Sequence, residues 1–173
     1  MRPKPPNLSQ THVVLDLDHT LICAVEPHRV NGSAPDFWIT VSGKKYAVFR
    51  RPHLDAFLTA LFARARSVSV WTAATKGYAN AILKRILTDD QRKRLKFVWS
   101  RNRTVTRDGV PYLKELSKLY AAFPGMHHRN TVLLDDNPYH RIASPYSKVW
   151  FIQPFLPSHR KDQELPKTLK RFG

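Results

Sequence analysis

The sequence predicts an α/β fold, a mostly parallel central sheet with helices packed on both faces. Three observations point there. Short apolar runs of strand length recur along the chain, helical patterns of about 10–15 residues separate them, and two of the runs end in paired acids. Ligands of an open parallel sheet bind at the carboxyl ends of its strands, so acids in that place suggest a site rather than an accident.

The elements follow in chain order. MRPKPPNLSQ (1–10) reads as a flexible basic tail and has no apolar segment of the kind a secretory signal carries. THVVLDLD (11–18) is a continuous apolar strand that ends in Asp16 and Asp18. The segment 22–51 reads as an insertion. Within it PDFWITVSGKKYAVF (35–49) forms two alternating strands around Ser42, Gly43 and Lys44, a small β-hairpin. Pro52 opens a helix with Leu54, Phe57, Leu58, Leu61 and Phe62 on one face. SVSVWTAA (67–74) is the next strand, and a helix over 76–87 turns Tyr78, Ala81, Ile82 and Ile86 inward. KFVWS (96–100) reads as a strand and PYLKELSKLY (111–120) as a helix. NTVLLDD (130–136) and KVWFIQ (148–153) complete the strands. A terminal helix is expected over 162–172, where Pro166 is tolerated only near the first turn. Residues 11–173 thus read as one domain with no large cap.

Bulk properties bound the function. A chain of 173 residues can bury a true core. No apolar run approaches the roughly 20 residues of a membrane span, so no membrane partner is expected. Cys23 is the single cysteine, which excludes an intrachain disulfide and a cysteine zinc cluster. That suits a reducing compartment, so an intracellular address (nucleus or cytoplasm, not secreted) and a monomer are expected. Lys and Arg number 29 against 13 Asp and Glu, a net charge of +16. The excess thickens between Lys84 and Arg107, where only Asp89 and Asp90 oppose it. Such a surface favours a nucleic acid or another acidic, phosphorylated partner through steering and counterion release. The alternative is a cationic face that only aids solubility.

The acids suggest the chemistry. Asp16 and Asp18 are two apart, so in extended backbone their side chains point the same way, roughly 6–7 Å apart. Two close carboxylates repel unless a cation lies between them or one takes a proton. A hard divalent cation would serve, with Asp135 or Asp136 supplying a further ligand. Mg²⁺ commonly binds through one or two carboxylates plus a substrate phosphate.

The run VVLDLDHTL (13–21) resembles the first motif of haloacid-dehalogenase-type phosphotransferases. AVFRRPHLDAFL, VSVWTAATKGYANAIL, WSRNRTV, YLKELSKL and TVLLDDNPYH follow in the order and spacing of the FCP/SCP type, which dephosphorylates the C-terminal repeats of RNA polymerase II. The resemblance covers roughly residues 11–153, and the tail IQPFLPSHRKDQELPKTL is similar to the closing strand and helix of that family. It implies a Rossmann-like fold and a Mg²⁺-dependent phosphoserine or phosphothreonine phosphatase. In that scheme Asp16 is the nucleophile that forms an aspartyl-phosphate, and Asp18 is the acid and then the base. The metal would be held by Asp16, by the backbone carbonyl of Asp18, and by Asp136 or its neighbour Asp135. Thr72 would bond a phosphate oxygen, Lys114 would offset charge on the transferring phosphoryl group, and Arg101 would lie near the phosphate or the peptide groove. The family varies at His19, which gives it no catalytic role. The insertion would supply apolar contacts to a proline-bearing peptide, with Phe37, Trp38, Ile39, Tyr46 and Phe49 divided between core and groove.

A second motif is a decoy. Cys23 and Arg29 form C-x5-R, the spacing of cysteine-dependent phosphatases. That chemistry needs successive backbone N–H groups around the phosphate. Here the loop is AVEPH, in which Pro27 has no N–H and Glu26 would repel the anion. Two other functions remain open on the sequence alone: a nucleic-acid 3′- or 5′-phosphatase, suggested by the charge, and a non-catalytic scaffold.

Overall fold

The computed structural model describes residues 5–173. The strands are β1 (His12–Leu15), β2 (Ile22–Val25), β3 (Phe37–Val41), β4 (Lys44–Arg50), β5 (Ser67–Trp71), β6 (Val98–Trp99), β7 (Val105–Arg107), β8 (Val110–Leu113), β9 (Thr131–Asp135) and β10 (Lys148–Phe151). The helices are α1 (Leu54–Arg64), α2 (Lys76–Ile86), α3 (Asp89–Arg94), α4 (Ser117–Ala122), α5 (His140–Ala143) and α6 (Glu164–Leu169). Five strands form the expected parallel sheet in the order β10-β9-β1-β5-β6.

β1 lies at the centre because its run can be buried on both sides, and the alternation of its residues serves two cores. Val13 and Leu15 face the cluster with Phe57, Leu58 and Leu61 of α1 and Ile82 of α2. Val14 faces the opposite cluster with Trp71, Leu133, Leu116 and Leu119. From β1 the chain moves to β5 and β6 on one side and later to β9 and β10 on the other. The strand order therefore reverses beside β1, the place where open α/β sheets hold ligands.

The insertion folds as an antiparallel sheet in the order β2-β4-β3. The expected hairpin is there, with Val41 paired to Lys44 across a two-residue loop. Ser42 and Gly43 both take positive φ, 50° and 76°, as such a turn requires.

Several expectations are corrected. Part of the expected flexible tail is ordered: Asn7 caps a short 3-10 turn, Leu8–Gln10, and Leu8 is buried in the core. Residues 1–4 of that tail lie outside the described residues. The first helix starts at Leu54, after Pro52 rather than on it. In α2, Ala79 and Leu83 face the core, whereas Ala81 is only half-buried. The helix expected over 111–120 is instead β8 followed by α4, because β7 and β8 form a second hairpin. Its loop, Asp108-Gly109, has positive φ at both residues. The terminal helix is shorter than expected and places Pro166 in its first turn, where no amide hydrogen bond is lost.

Arg51 ties the C-terminal segment to the carboxyl end of β1. Its buried guanidinium donates to both carboxylate oxygens of Asp162, at 2.9 and 2.8 Å. It also donates to the carbonyls of Thr20 at 3.0 Å and Gln153 at 2.6 Å. His19 and Phe155 complete the tie. The Phe155 amide donates to the His19 carbonyl at 2.7 Å, and Nδ1 of His19 bonds the Phe155 carbonyl at 3.0 Å. Burial pushes the Asp162 carboxyl up, but the Arg51 guanidinium and the Glu164 amide outweigh it and hold the pKa below the usual value. A lowered folded pKa contributes stability that is present above the unfolded value, near pH 4, and is lost as pH falls through the folded one. Asp162→Asn is therefore expected to destabilise the protein by about 3 kcal/mol at pH 7, because it strands a buried guanidinium. Urea unfolding at pH 7 and pH 3 checks this. The difference between wild type and variant should shrink at the lower pH.

Candidate active site

Three parallel strands end in polar residues, and the structure brings these ends together. Asp16 follows β1, Thr72 follows β5, and Asp135 closes β9. The main chain holds each in place. The Asp16 amide donates to the Leu134 carbonyl at 3.0 Å, the Thr72 amide to Trp99 at 2.9 Å, and the Ile152 amide to Asp135 at 3.0 Å. They line a cleft of about 250 Å³ with Asp18, His19, Lys114, Asp136, Asn137 and His140. Asp16, Thr72, Lys114, Asp135 and His140 are all buried.

Lys114 is the centre of charge. It lies at the end of β8, not on a helix, and its ammonium sits between two carboxylates. It donates to Asp16 Oδ1 and to Asp135 Oδ2, each at 2.5 Å. Burial alone would lower its pKa, but the charges of Asp135 and Asp16 outweigh this and keep it protonated. The two acids then differ. Burial raises Asp16 well above the usual carboxylate value, with Lys114 opposing and the charge of Asp135 adding to the rise. Asp135 is held below it despite burial, because Lys114 and then His140 outweigh the desolvation.

His140 was not anticipated from the sequence. Its Nε2 lies 3.0 Å from Asp135 Oδ2, and its Nδ1 accepts the Lys114 amide at 3.2 Å. Accepting at Nδ1 leaves the proton on Nε2, so the ring is set to donate to Asp135. Ser144 completes the support: its hydroxyl donates to the Lys114 carbonyl at 3.1 Å and accepts from the Leu116 amide at 2.8 Å. One short helix, α5, thus fixes both the lysine and the acid it pairs with.

The remaining expected residues separate into two groups. Asp16, Asp135 and Asp136 each offer a carboxylate oxygen within 4.8 Å of the others, a donor set of the hard kind that suits Mg²⁺. Asp135 is already occupied by Lys114, His140 and the Asn137 amide, which donates to Oδ1 at 2.9 Å. Asp136 is half-buried and forms no ion pair with a cation among the described residues. Burial and the neighbouring Asp135 charge raise its pKa, a tension that a cation would relieve. The Asp18 carboxylate is not part of that cluster. It accepts from the Tyr78 hydroxyl at 2.5 Å, and burial, the leading cause, raises its pKa against that bond. Thr72 accepts the Ala74 amide at 3.0 Å and faces the cleft.

Arg101 lines a neighbouring groove instead of the cleft. Its Nε donates to the Ala73 carbonyl at 2.7 Å, and its guanidinium lies over Tyr112. The groove holds about 490 Å³ and shares Asp18 and Ala74 with the cleft. Its other wall comes from the insertion, with Ala24, Val41, Lys44 and Tyr46, and Tyr46 meets Tyr78 edge-on at 5.7 Å. Phe37, Ile39 and Phe49 are buried, so of the five insertion aromatics and aliphatics anticipated only Tyr46 faces the groove. Trp38 is 40% exposed, beneath the ammonium of Lys45.

A parallel sheet with paired acids, a hydroxyl and a buried lysine at its carboxyl ends places the chain in the haloacid dehalogenase fold class. The solved structures agree on the fold. A variant of the fission yeast RNA polymerase II CTD phosphatase Fcp1, bound to beryllium fluoride, superposes with a TM-score of 0.62 at 20% identity, over 94% of this chain and 51% of that one. The phosphatase-containing N-terminal part of BF1531 from Bacteroides fragilis, complexed with Mg, gives 0.53 at 17%, over 98% and 42%. The family is then specific: residues 11–172 match the NLI interacting factor-like phosphatases, and the chain belongs to that family. It is 38% identical over 87 residues to a CTD phosphatase-like protein of Invertebrate iridescent virus 3, covering 47% of this chain and 46% of that protein. It is 32% identical over 165 residues to an RNA polymerase II C-terminal domain phosphatase of Encephalitozoon cuniculi, covering 92% and 35%. The chain thus spans about half, or less, of the length of these relatives.

His140→Ala is expected to lower turnover of any phosphate monoester about 10- to 100-fold, the usual cost of removing a group that orients a catalytic one. His140→Gln, which keeps a donor facing Asp135, should recover part of the loss. Steady-state kinetics on a small aryl phosphate, alongside thermal melting, separates this from unfolding.

Proposed function

We propose that this chain is a Mg²⁺-dependent phosphoserine or phosphothreonine protein phosphatase that acts through an aspartyl-phosphate, with the phosphorylated C-terminal repeats of RNA polymerase II as substrate. The observation that carries it is the buried Asp16 beside Lys114 and Thr72, with Asp18 at the mouth. Membership of the phosphatase family supports the reaction class, and the name of the Encephalitozoon cuniculi relative supports the substrate.

The residues divide the work. Asp16 attacks phosphorus, and a new carboxyl–phosphorus bond forms as the bond to the serine oxygen breaks. Asp18, which burial keeps protonated more readily than an ordinary carboxyl, gives its proton to that leaving oxygen. As a carboxylate it then takes a proton from water. The resulting hydroxide attacks phosphorus, releasing phosphate and restoring Asp16. Tyr78 holds Asp18 at the junction of cleft and groove, so the acid meets the peptide side of the phosphate. Thr72 and Lys114 bond the non-bridging oxygens of the phosphoryl group and offset their charge. Asp16, the Asp18 carbonyl and Asp136 would hold Mg²⁺, with Asp135 fixing Lys114. When bound, the ion supplies Lewis-acid neutralisation of the phosphoryl group. Arg101 and Lys44 would meet the peptide in the groove.

The net charge of +16 favours one second reading, a nucleic-acid phosphatase using the same residues. Phosphate release from a panel decides between them: polymerase-repeat phosphopeptides, unrelated phosphopeptides and 3′-phosphorylated oligonucleotides, each with Mg²⁺ and with chelator. The expected outcome is metal-dependent preference for the repeat peptides. Turnover by Asp16→Asn should fall at least about 10⁴-fold, as expected when the covalent nucleophile is removed. Preference for oligonucleotides would keep the mechanism and replace the substrate. Substantial turnover by Asp16→Asn would overturn both.

A further inference from the structure

The parallel topology that gathers acids at one end of the sheet gathers cations at the other. Arg66 immediately precedes β5, Lys96 lies two residues before β6, Arg129 lies two residues before β9, and Lys148 opens β10. Main-chain bonds hold these strand starts in register. The Arg66 amide donates to Thr11 at 3.1 Å, the His12 amide to Asn130 at 2.7 Å, and the Lys96 amide to Val68 at 2.9 Å. Five strands at about 4.8 Å spread these cations over roughly 20 Å.

Between them lies a recess of about 540 Å³, separate from the catalytic cleft. Arg66, His127, Arg129 and Lys148 line it, and among the described residues no carboxylate does. Lys148 Nζ donates to the Arg129 carbonyl at 2.5 Å, which fixes two of its walls to each other. Neither Arg66 nor Arg129 forms an ion pair among the described residues, and both are exposed. His12 opens the central strand, under the middle of this edge. Burial and then Arg66 and Lys96 lower its pKa, against a backbone bond from Gly125 that raises it.

We propose that this recess is a second docking site, which binds a phosphoserine-bearing segment of the same multiply phosphorylated chain that is hydrolysed at the opposite end of the sheet. The proposal rests on the phosphopeptide reading above. The recess offers cations and donors but no carboxylate nucleophile, so a phosphate held there is retained, not cleaved. Its shape and lining favour a peptide over nucleic acid. Among the described residues no Phe, Tyr or Trp lines it, so bases would lack the broad aromatic surfaces on which they stack. A recess of this size also takes an extended chain more readily than a duplex. Two linked sites on one chain would raise the effective concentration of phosphate at the cleft.

The test is binding of fluorescent peptides to the full chain carrying Asp16→Asn, which prevents turnover. The long probe is about 25 residues with several phosphoserines, enough at ~3.3 Å per residue to reach around the sheet. The short probe carries one phosphoserine. Adding Arg66→Glu and Arg129→Glu should weaken the long probe by about tenfold through lost charge-assisted contacts, and leave the short probe unchanged. The milder Arg66→Gln with Arg129→Gln should weaken it less, and thermal melting confirms that both variants fold. With Asp16 intact, hydrolysis of a small aryl phosphate should be unaffected by either pair. Equal binding of the long probe by all variants overturns the docking site whether or not the enzyme turns over. Loss confined to a single-stranded oligonucleotide overturns it in favour of nucleic acid. A binding difference without hydrolysis of any ester would sustain the docking site and sink the proposed catalytic function.

Discussion

The site depends on one ammonium group held between two buried carboxylates. Asp16 and Asp135 end adjacent strands at the reversal point of the sheet, and each would be costly to bury alone. Lys114 lowers that cost, but one positive charge does not satisfy two negative ones fully. The imbalance falls on Asp16, whose pKa is raised, while Asp135 is settled by a second donor from His140. The carboxylate left under tension is the one proposed to react. A divalent ion shared with Asp136 would relieve the same tension, so the fold stores a demand for positive charge beside the cleft.

That arrangement explains why so much structure outside the sheet serves a single lysine. Lys114 comes from a two-stranded hairpin that packs against α5 and carries no main-sheet strand. The Asp108-Gly109 loop turns the chain, Tyr112 adopts a positive φ of 60°, and α5 grips the following amides and carbonyls. The clamp around Arg51 does the corresponding work on the other acid of the first motif. It fixes the carbonyls just after Asp18 to the C-terminal segment, so the bend that presents Asp18 is held from behind.

The sheet and its acids were legible because their signal is local: apolar runs of strand length that end in Asp16, Thr72, Asp135 and Asp136. Helices of eleven residues with one apolar face, α1 and α2, were legible for the same reason. Over 111–120 the spacing of Tyr112, Leu113, Leu116 and Leu119 is compatible with a helix, but the Asp-Gly pair before it is a strong hairpin signal, and the hairpin wins. Helix α3 carried a readable start in Thr88 and Gln91, whose side chains form a reciprocal cap, but six polar residues gave it no periodicity. The role of His140 had no local signal. It depends on a ring touching two residues that are 5 and 26 positions away in sequence, a relation only the folded chain creates. The Tyr78 hydroxyl that holds the Asp18 carboxylate was likewise hidden, because spacing along a strand says nothing of a tyrosine arriving from α2.

The two ends of the sheet follow from one rule. Parallel strands share a direction, so residues that follow strands collect at one end and residues that precede them collect at the other. An acid-rich end therefore leaves the opposite end free to carry cations without neutralising the acids, about 15 Å away through strands of four or five residues. In a chain with 29 basic and 13 acidic residues, four of those acids are committed to the cleft and two more sit in the first turn of α3. None of the other seven lines the recess at the strand starts. A substrate that carries one phosphate would meet only the cleft, whereas a chain with many would feel both ends at once. The open site suits the second kind. The groove beside Asp18 runs out to solvent between the insertion and α2, and among the described residues no large domain closes it. Selection among phosphorylated chains would then rest less on the few residues around the reacting phosphate than on how many phosphates one chain can present together.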